Sequence, residues 1–222
     1  MSKIYYYYKN KAHYASLLLK KIKSFFWKAR NYTSAYWWSV EIGKGCKFNG
    51  KTIFNKIQET NIKIGNNCTF NSSHSSNLIG VYSPCMLSTI ARGARIEIGN
   101  GCGFSGTVIG AGLNIKIGNN VRCGANTLIT DSDWHTDDYR TGDDKPVIIE
   151  DNAWLGYGVK VLKGVHIGKN SLIGANSVVT KDIPANVVAV GNPCRVIKEI
   201  KQQYNDTGKQ SSNYEESVSV KS

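Results

Sequence analysis

The feature that most limits how this chain can fold is a rhythm of six. Between Ile149 and Ile183 an aliphatic residue returns every sixth position: Ile149, Leu155, Val161, Ile167, Ile173 and Val179. Four positions after these come Ala153, Val159, Val165, Ser171, Ser177 and Ile183, mostly small or β-branched. The phase recurs upstream at Ile117, Cys123 and Ile129 and at Ile98 and Phe104, then more loosely around Ile64, Phe70 and Ile42, Phe48. A helix repeats near 3.6 and a half-exposed strand at 2, so neither keeps a period of six. A hexad repeat is the mark of a parallel β-helix: three short strands and three turns close a triangular coil of about 18 residues. The aliphatic residue points inward and stacks on its equivalent about 4.8 Å away in the next coil. Gly and Asn take the turns, whose backbone β-branched residues resist. From Ile42 to Ile183 the spacing predicts about seven coils, a prism on the order of 34 Å long. An ordinary β-sandwich does not hold its turns in six-residue phase.

Charge divides the chain further. There are 28 Lys and Arg against 16 Asp and Glu, a net +12, yet residues 1–40 hold eight cations and no acid. Half of the acids fall between Asp131 and Asp151. A uniformly basic chain would suggest nucleic acid; this polarised one leaves a near-neutral body and argues against it. The longest apolar run near the start, Leu17 to Leu19, ends at Lys20 and Lys21, so neither a secretory signal nor a spanning helix is expected and the chain reads as cytoplasmic. Six cysteines lack any C-x-x-C pairing. Cys46, Cys68 and Cys102 each follow an Ile-Gly pair at the same distance, which reads as a small apolar residue filling a repeated niche.

Two breaks in phase mark places where chain leaves the prism. Ile129 to Ile149 holds the polar stretch Asp131-Ser-Asp-Trp-His-Thr-Asp-Asp-Tyr-Arg-Thr-Gly-Asp-Asp-Lys-Pro146, and such excursions tend to carry function. Ile64 to Ile98 leaves room for a smaller bulge near Asn71–Asn77. Three segments follow: a basic, aromatic-rich 1–40; a prism over 41–200 with a loop at 130–146; and a polar, disordered tail over 201–222.

Here the sequence resembles the left-handed β-helix, hexapeptide-repeat acyltransferases, above all the maltose, galactoside and polysaccharide O-acetyltransferase branch. The resemblance rests on Trp134-His135 with Arg140, on Pro146-Val-Ile-Ile-Glu-Asp-Asn-Ala-Trp-Leu-Gly156, and on Val161-Leu-Lys-Gly-Val-His-Ile-Gly168. It continues through Ile173-Gly-Ala-Asn-Ser-Val-Val-Thr-Lys-Asp-Ile-Pro184 to Val190-Gly-Asn-Pro-Cys-Arg-Val-Ile-Lys198. It is strong over about 96–200. The left hand is what the family implies, since strand physics alone favours right-handed crossovers. The family uses acetyl-CoA as acyl donor without a metal, works as a homotrimer, and takes a loop histidine as general base; His135 matches that position. Chemistry agrees, because a neutral imidazole with a pKa near 6.5 can accept a hydroxyl proton as the oxygen attacks a thioester.

The resemblance carries CoA contacts to Tyr157, Ala175, Thr180, Lys181, Arg195 and Lys198, with the cations suited to the ADP phosphates. Acceptor contacts fall on Trp134, Arg140 and Ser105, the last where the galactoside and maltose enzymes carry Asn. His74 is the rival base, while His166 reads as outward-facing. Residues 1–40 replace the family's helical cap with Leu18, Ile22, Phe25 and Phe26 at helical spacing beside Lys20, Lys21, Lys23 and Lys28. The expectation is a cap that buries this stripe on the open end of the prism; the alternative is a helix lying on an anionic membrane. The sequence therefore predicts an acetyl-CoA-dependent O-acetyltransferase acting on a sugar of a surface polysaccharide or its precursor. The alternatives are an N-acetyltransferase for a nucleotide-linked amino sugar and a non-enzymatic β-helix. A zinc site is not expected, because His74, His135 and His166 lack converging spacing.

Overall fold

The computed structural model describes Leu19, residues 22–135 and residues 138–200. Leu18, His13 and the 201–222 tail lie outside the described residues. The chain winds into a three-sided prism of parallel sheets. The first sheet stacks β1 (Glu41–Ile42), β4 (Asn61–Ile64), β7 (Arg95–Ile98), β10 (Asn114–Ile117), β13 (Val147–Ile149) and β16 (His166–Ile167). The second stacks β2 (Lys47–Asn49), β5 (Thr69–Asn71), β8 (Gly103–Ser105), β11 (Arg122–Ala125), β14 (Trp154–Leu155), β17 (Leu172–Ile173) and β19 (Val187–Gly191), with β20 (Cys194–Glu199) antiparallel at its edge. The third stacks β3 (Ile53–Lys56), β6 (Met86–Thr89), β9 (Val108–Ala111), β12 (Leu128–Thr130), β15 (Lys160–Val161) and β18 (Val178–Val179).

The hexad residues form three buried columns. On the first sheet Ile42, Ile64, Ile98, Ile117, Ile149 and Ile167 lie in register, and Ile183 bridges to Ile167. On the second, Phe48, Phe70, Phe104, Cys123, Leu155, Ile173 and Ala189 align, the three rings stacked at 5.2 and 5.1 Å. On the third the column runs Phe54, Leu87, Ile109, Ile129, Val161, Val179. Identical side chains one strand spacing apart exclude water from the prism axis, and that burial is the main favourable term of the fold. The expected seven coils are six complete coils and a partial seventh, made by Ile183 and β19 before the chain doubles back as β20. That reversal covers a sheet edge that would otherwise present unpaired backbone.

All six cysteines are free and buried. Cys46, Cys68 and Cys102 each direct a thiol at a turn carbonyl of the next coil, Gly65, Gly99 and Gly118, at 3.2, 3.2 and 3.1 Å. Burial pushes the Cys85 and Cys123 thiols above their ordinary pKa, as befits packing groups rather than nucleophiles.

Two expectations need correcting. The bulge after β5 is larger than Asn71–Asn77: it occupies residues 72–85, between the second and third sheets. The N-terminal helix α1, over 22–37, does cap the first coil, but with another face. Asn31, fully buried, donates to the Gly50 carbonyl at 2.9 Å and accepts the Thr52 amide at 2.9 Å, pairing backbone groups that the end of a solenoid leaves open. Ala35 is buried beside it, and Tyr32 sets its ring edge on Phe48 at 5.8 Å. Ile22, Phe25 and Phe26 stay exposed. A buried Asn with its hydrogen bonds satisfied outcompetes a more apolar face here because the first coil offers both an open backbone edge and an aromatic ring.

Candidate active site

The prism's corners decide what each predicted residue can reach. Residues 131–146 leave at the corner between the third and first sheets. Asp131 starts this loop, fully buried, its carboxylate accepting the amides of Gly112 at 2.6 Å and Leu113 at 3.0 Å, while its carbonyl accepts the Lys145 amide at 3.1 Å. One residue thereby fixes both ends of the loop. Burial raises the Asp131 pKa, and these amides offset part of that rise.

Trp134 adopts a left-handed backbone (φ 68°), uncommon for a bulky side chain and sustained only where the surroundings enforce it. Its indole N–H donates to Thr130 Oγ1 at 2.9 Å, and its ring lies on Gly110, where any Cβ would overlap it. His135 follows. Its carbonyl accepts the Asp138 amide at 3.1 Å and the Thr141 hydroxyl at 3.0 Å, and its side chain is exposed. The histidine is thus presented outward from a backbone pinned on both sides. Arg140 is engaged with Asp138, which holds that carboxylate below its usual range. Lys163, on the turn after β15, draws the two limbs together through Asp133 Oδ2 at 2.5 Å and the Gly142 carbonyl at 2.7 Å.

A different corner, between the second and third sheets, holds a groove of about 350 Å3 lined by Asn77, Ile79, Ala125, Gly156, Tyr157 and Ala175 among others. A Cβ on Gly156 would meet the Ala175 backbone at 2.8–3.0 Å, so glycine keeps the turns closely stacked and the groove floor bare. Arg195 faces Val190 in the β19–β20 pairing, and Val190 packs over Gly174, which sets Arg195 at the far end of this corner. Lys198 pairs opposite Val188, in the column of Leu172 and Trp154 on the second sheet. Tyr157, Ala175 and Arg195 therefore share one corner. Thr180 and Lys181 follow β18 at the other corner, the one that carries the His135 loop.

Residues 72–85 roof the low end of the groove. Asn126 (φ 62°) accepts the Tyr82 amide at 3.0 Å and donates to the Gly80 carbonyl at 2.9 Å. The hydroxyls of Tyr82 and Tyr157 interact, and Tyr82 titrates above its ordinary value. Ser105 sits beneath this roof, 5% exposed, its hydroxyl accepting the amides of Asn71 and Asn77 at 3.1 Å each. The structure does not bring Ser105 to His135. His74 lies in the 72–85 insert, and His166 points outward from β16 onto Glu150 at 2.8 Å. Among the described residues no group of three His, Cys, Asp or Glu side chains is placed to hold a metal. Lys163, Asp131, Thr130 and Asn126 were not singled out from sequence; the one local signal was a pair of glycines, Gly110 and Gly112, at a strand where glycine is disfavoured.

A three-sided prism of stacked hexads with a clamped histidine loop defines a left-handed β-helix transferase. Residues 146–181 match the bacterial transferase hexapeptide (six repeats) family, so the chain carries a hexapeptide-repeat transferase domain. It is 47% identical over 115 residues to a galactoside O-acetyltransferase of Lactococcus lactis, covering 49% of this chain and 55% of that one. It is 42% identical over 114 residues to the Escherichia coli galactoside O-acetyltransferase, covering 49% and 56%. The chain thus spans about half the length of these relatives. The same fold is found in AntD, an N-acyltransferase from Bacillus cereus solved with dTDP-4-amino-4,6-dideoxyglucose and coenzyme A: TM-score 0.57, 20% identity, covering 72% of this chain and 84% of that one.

Proposed function

We propose that this protein is an acetyl-CoA-dependent O-acetyltransferase that acts on a sugar hydroxyl, of a surface polysaccharide or its precursor, as a homotrimer with its sites between prisms. The observation that carries this reading is the division of labour between corners: His135 and Lys181 stand on one, Tyr157, Ala175 and Arg195 on the next. Each corner is half a site. Parallel prisms packed side by side would join the histidine corner of one to the groove of its neighbour, with Lys181 and Arg195 converging on the diphosphate. The pantetheine arm would lie along the groove with its acyl end toward Ile79 and Asn77, because the cations stand at the opposite end.

In the reaction, neutral His135 accepts the proton of the acceptor hydroxyl as its oxygen bonds to the thioester carbonyl carbon. The tetrahedral intermediate collapses with cleavage of the C–S bond, and the imidazolium returns its proton to the departing CoA sulfur. A positioned base contributes about 10²–10⁴ in rate. The O-acetyltransferase relatives favour a hydroxyl acceptor over an amine.

The test is complementation. His135→Ala and Ala175→Trp, the latter filling an exposed part of the groove, should each be nearly inactive alone. Unfolded and refolded together, they should recover activity at about a quarter of the sites, since each site draws on two chains. Failure to recover activity in mixed trimers would place the whole site on one prism, and an acceptor panel scored by thiol release would separate hydroxyl from amine.

A further inference from the structure

Helix α1 has two faces, and the prism uses one of them. At about 100° per residue, Asn31 and Ala35 point one way, into the first coil. Ile22, Phe25, Phe26, Tyr36 and Trp37 point the opposite way, joined by Leu19 one turn ahead. These six are 56, 75, 58, 86, 82 and 55% exposed, respectively. Capping the solenoid thus turns an aromatic and aliphatic face outward along the whole helix. Lys23, Lys28 and Arg30 are carried on its flanks, within a 40-residue segment of eight cations and no acid.

We propose that this outer face is a docking surface for an anionic lipid bilayer, the helix lying in the interface with its rings among the headgroups. Three features select that occupant. A scattered exposed Leu needs no explanation, whereas six large apolar groups on one helical face form a continuous patch. Trp and Tyr favour the membrane–water boundary, where an apolar ring body and a polar edge are both satisfied. The flanking charge has one sign, which attracts anionic headgroups and repels a second copy of the same segment. No helix among the described residues is long and apolar enough to cross a membrane, so the contact is parallel to the surface. In the proposed trimer three such faces would stand at the same end of the assembly, and their combined attachment would exceed that of one.

The experiment is co-sedimentation of the full chain with vesicles of phosphatidylcholine alone or mixed with phosphatidylglycerol, at roughly 0.1 and 1 M salt, where screening lengths are about 10 and 3 Å. Binding is expected to the anionic vesicles only and to weaken at high salt. Phe25→Ser/Phe26→Ser and Trp37→Ser should each reduce it, the double variant by more than about tenfold, while the melting temperature stays unchanged because these side chains face away from the prism. Turnover of a soluble acceptor should also stay at the wild-type level, which separates this proposal from the assignment of the reaction. Absence of binding, or binding indifferent to lipid charge and to these substitutions, overturns the proposal. So does association of trimers in light scattering that the same substitutions abolish, since it would assign the face to copies of this chain.

Discussion

The two inserts leave the same prism at different corners and are held there by different chemistry. Residues 131–146 are clamped by charge: the Asp131 carboxylate on two amides and Lys163 between Asp133 and the Gly142 carbonyl. Residues 72–85 are clamped by neutral amides, Asn126 on Tyr82 and Gly80, and Asn71 and Asn77 on Ser105. The first carries the base and must place one imidazole accurately. The second roofs a groove and needs only to exclude water along a flexible arm. Charge-assisted hydrogen bonds are roughly twice as strong as neutral ones, so the stiffer clamp stands at the chemistry. Damage to the first loop should therefore appear in kcat, and damage to the second in the donor KM.

The largest effect should come from His135→Ala, with kcat falling at least 10² and CoA affinity nearly unchanged, because a base acts in the transition state. Isothermal titration with CoA beside steady-state kinetics checks both halves. Turnover within tenfold of wild type would transfer the role to His74 and reverse the comparison, making the 72–85 insert the catalytic one. Next, Lys181→Glu or Arg195→Glu should raise the KM for acetyl-CoA more than about tenfold with the acceptor KM unmoved, since reversing charge removes a phosphate contact and adds repulsion. Lys163→Met should lower kcat by roughly tenfold at constant donor KM, as the loop limbs separate and the imidazole loses its alignment. Asn126→Ala should do the converse, raising the donor KM a few-fold at constant kcat. Equal effects on both parameters in either variant would dissolve the distinction between the inserts.

Much of this architecture was legible before any coordinates. The hexads from Ile149 to Ile183 announce the prism because every coil repeats the same local problem, an inward aliphatic residue and a tight turn. The loop around His135 is visible as a break in that phase. What was not legible is contact across the phase. Lys163 meets Asp133 from a turn one coil later, Asn126 holds Gly80 across 46 residues, and Trp134 rests on Gly110. No period encodes these contacts, because each joins an irregular segment to a regular one. The helix shows the same limit from the other side. Its hydrophobic pattern identified an apolar stripe correctly but pointed it at the wrong partner, since pattern reports that a face is apolar and not what covers it. Asn31, polar and buried, is the residue that orients the cap.

The smallest expected effect tests the clamps through pH. Asp131 has its pKa raised in the folded protein by burial, so the native state takes up a proton more readily than the unfolded chain. A raised carboxylate stabilises the fold when protonated and loses that contribution as pH rises from the unfolded value near 3.8 through the folded one. The melting temperature of wild type relative to Asp131→Asn should therefore improve as pH is lowered from neutral through that window, even though acid weakens the fold overall. Asn126→Ala removes a group that does not titrate, so its deficit relative to wild type should stay flat over the same range. Melting curves of the three proteins at closely spaced pH values read the difference directly. A constant gap for Asp131→Asn would mean that the Gly112 and Leu113 amides compensate the buried charge fully, and the two clamps would then differ in strength without differing in kind.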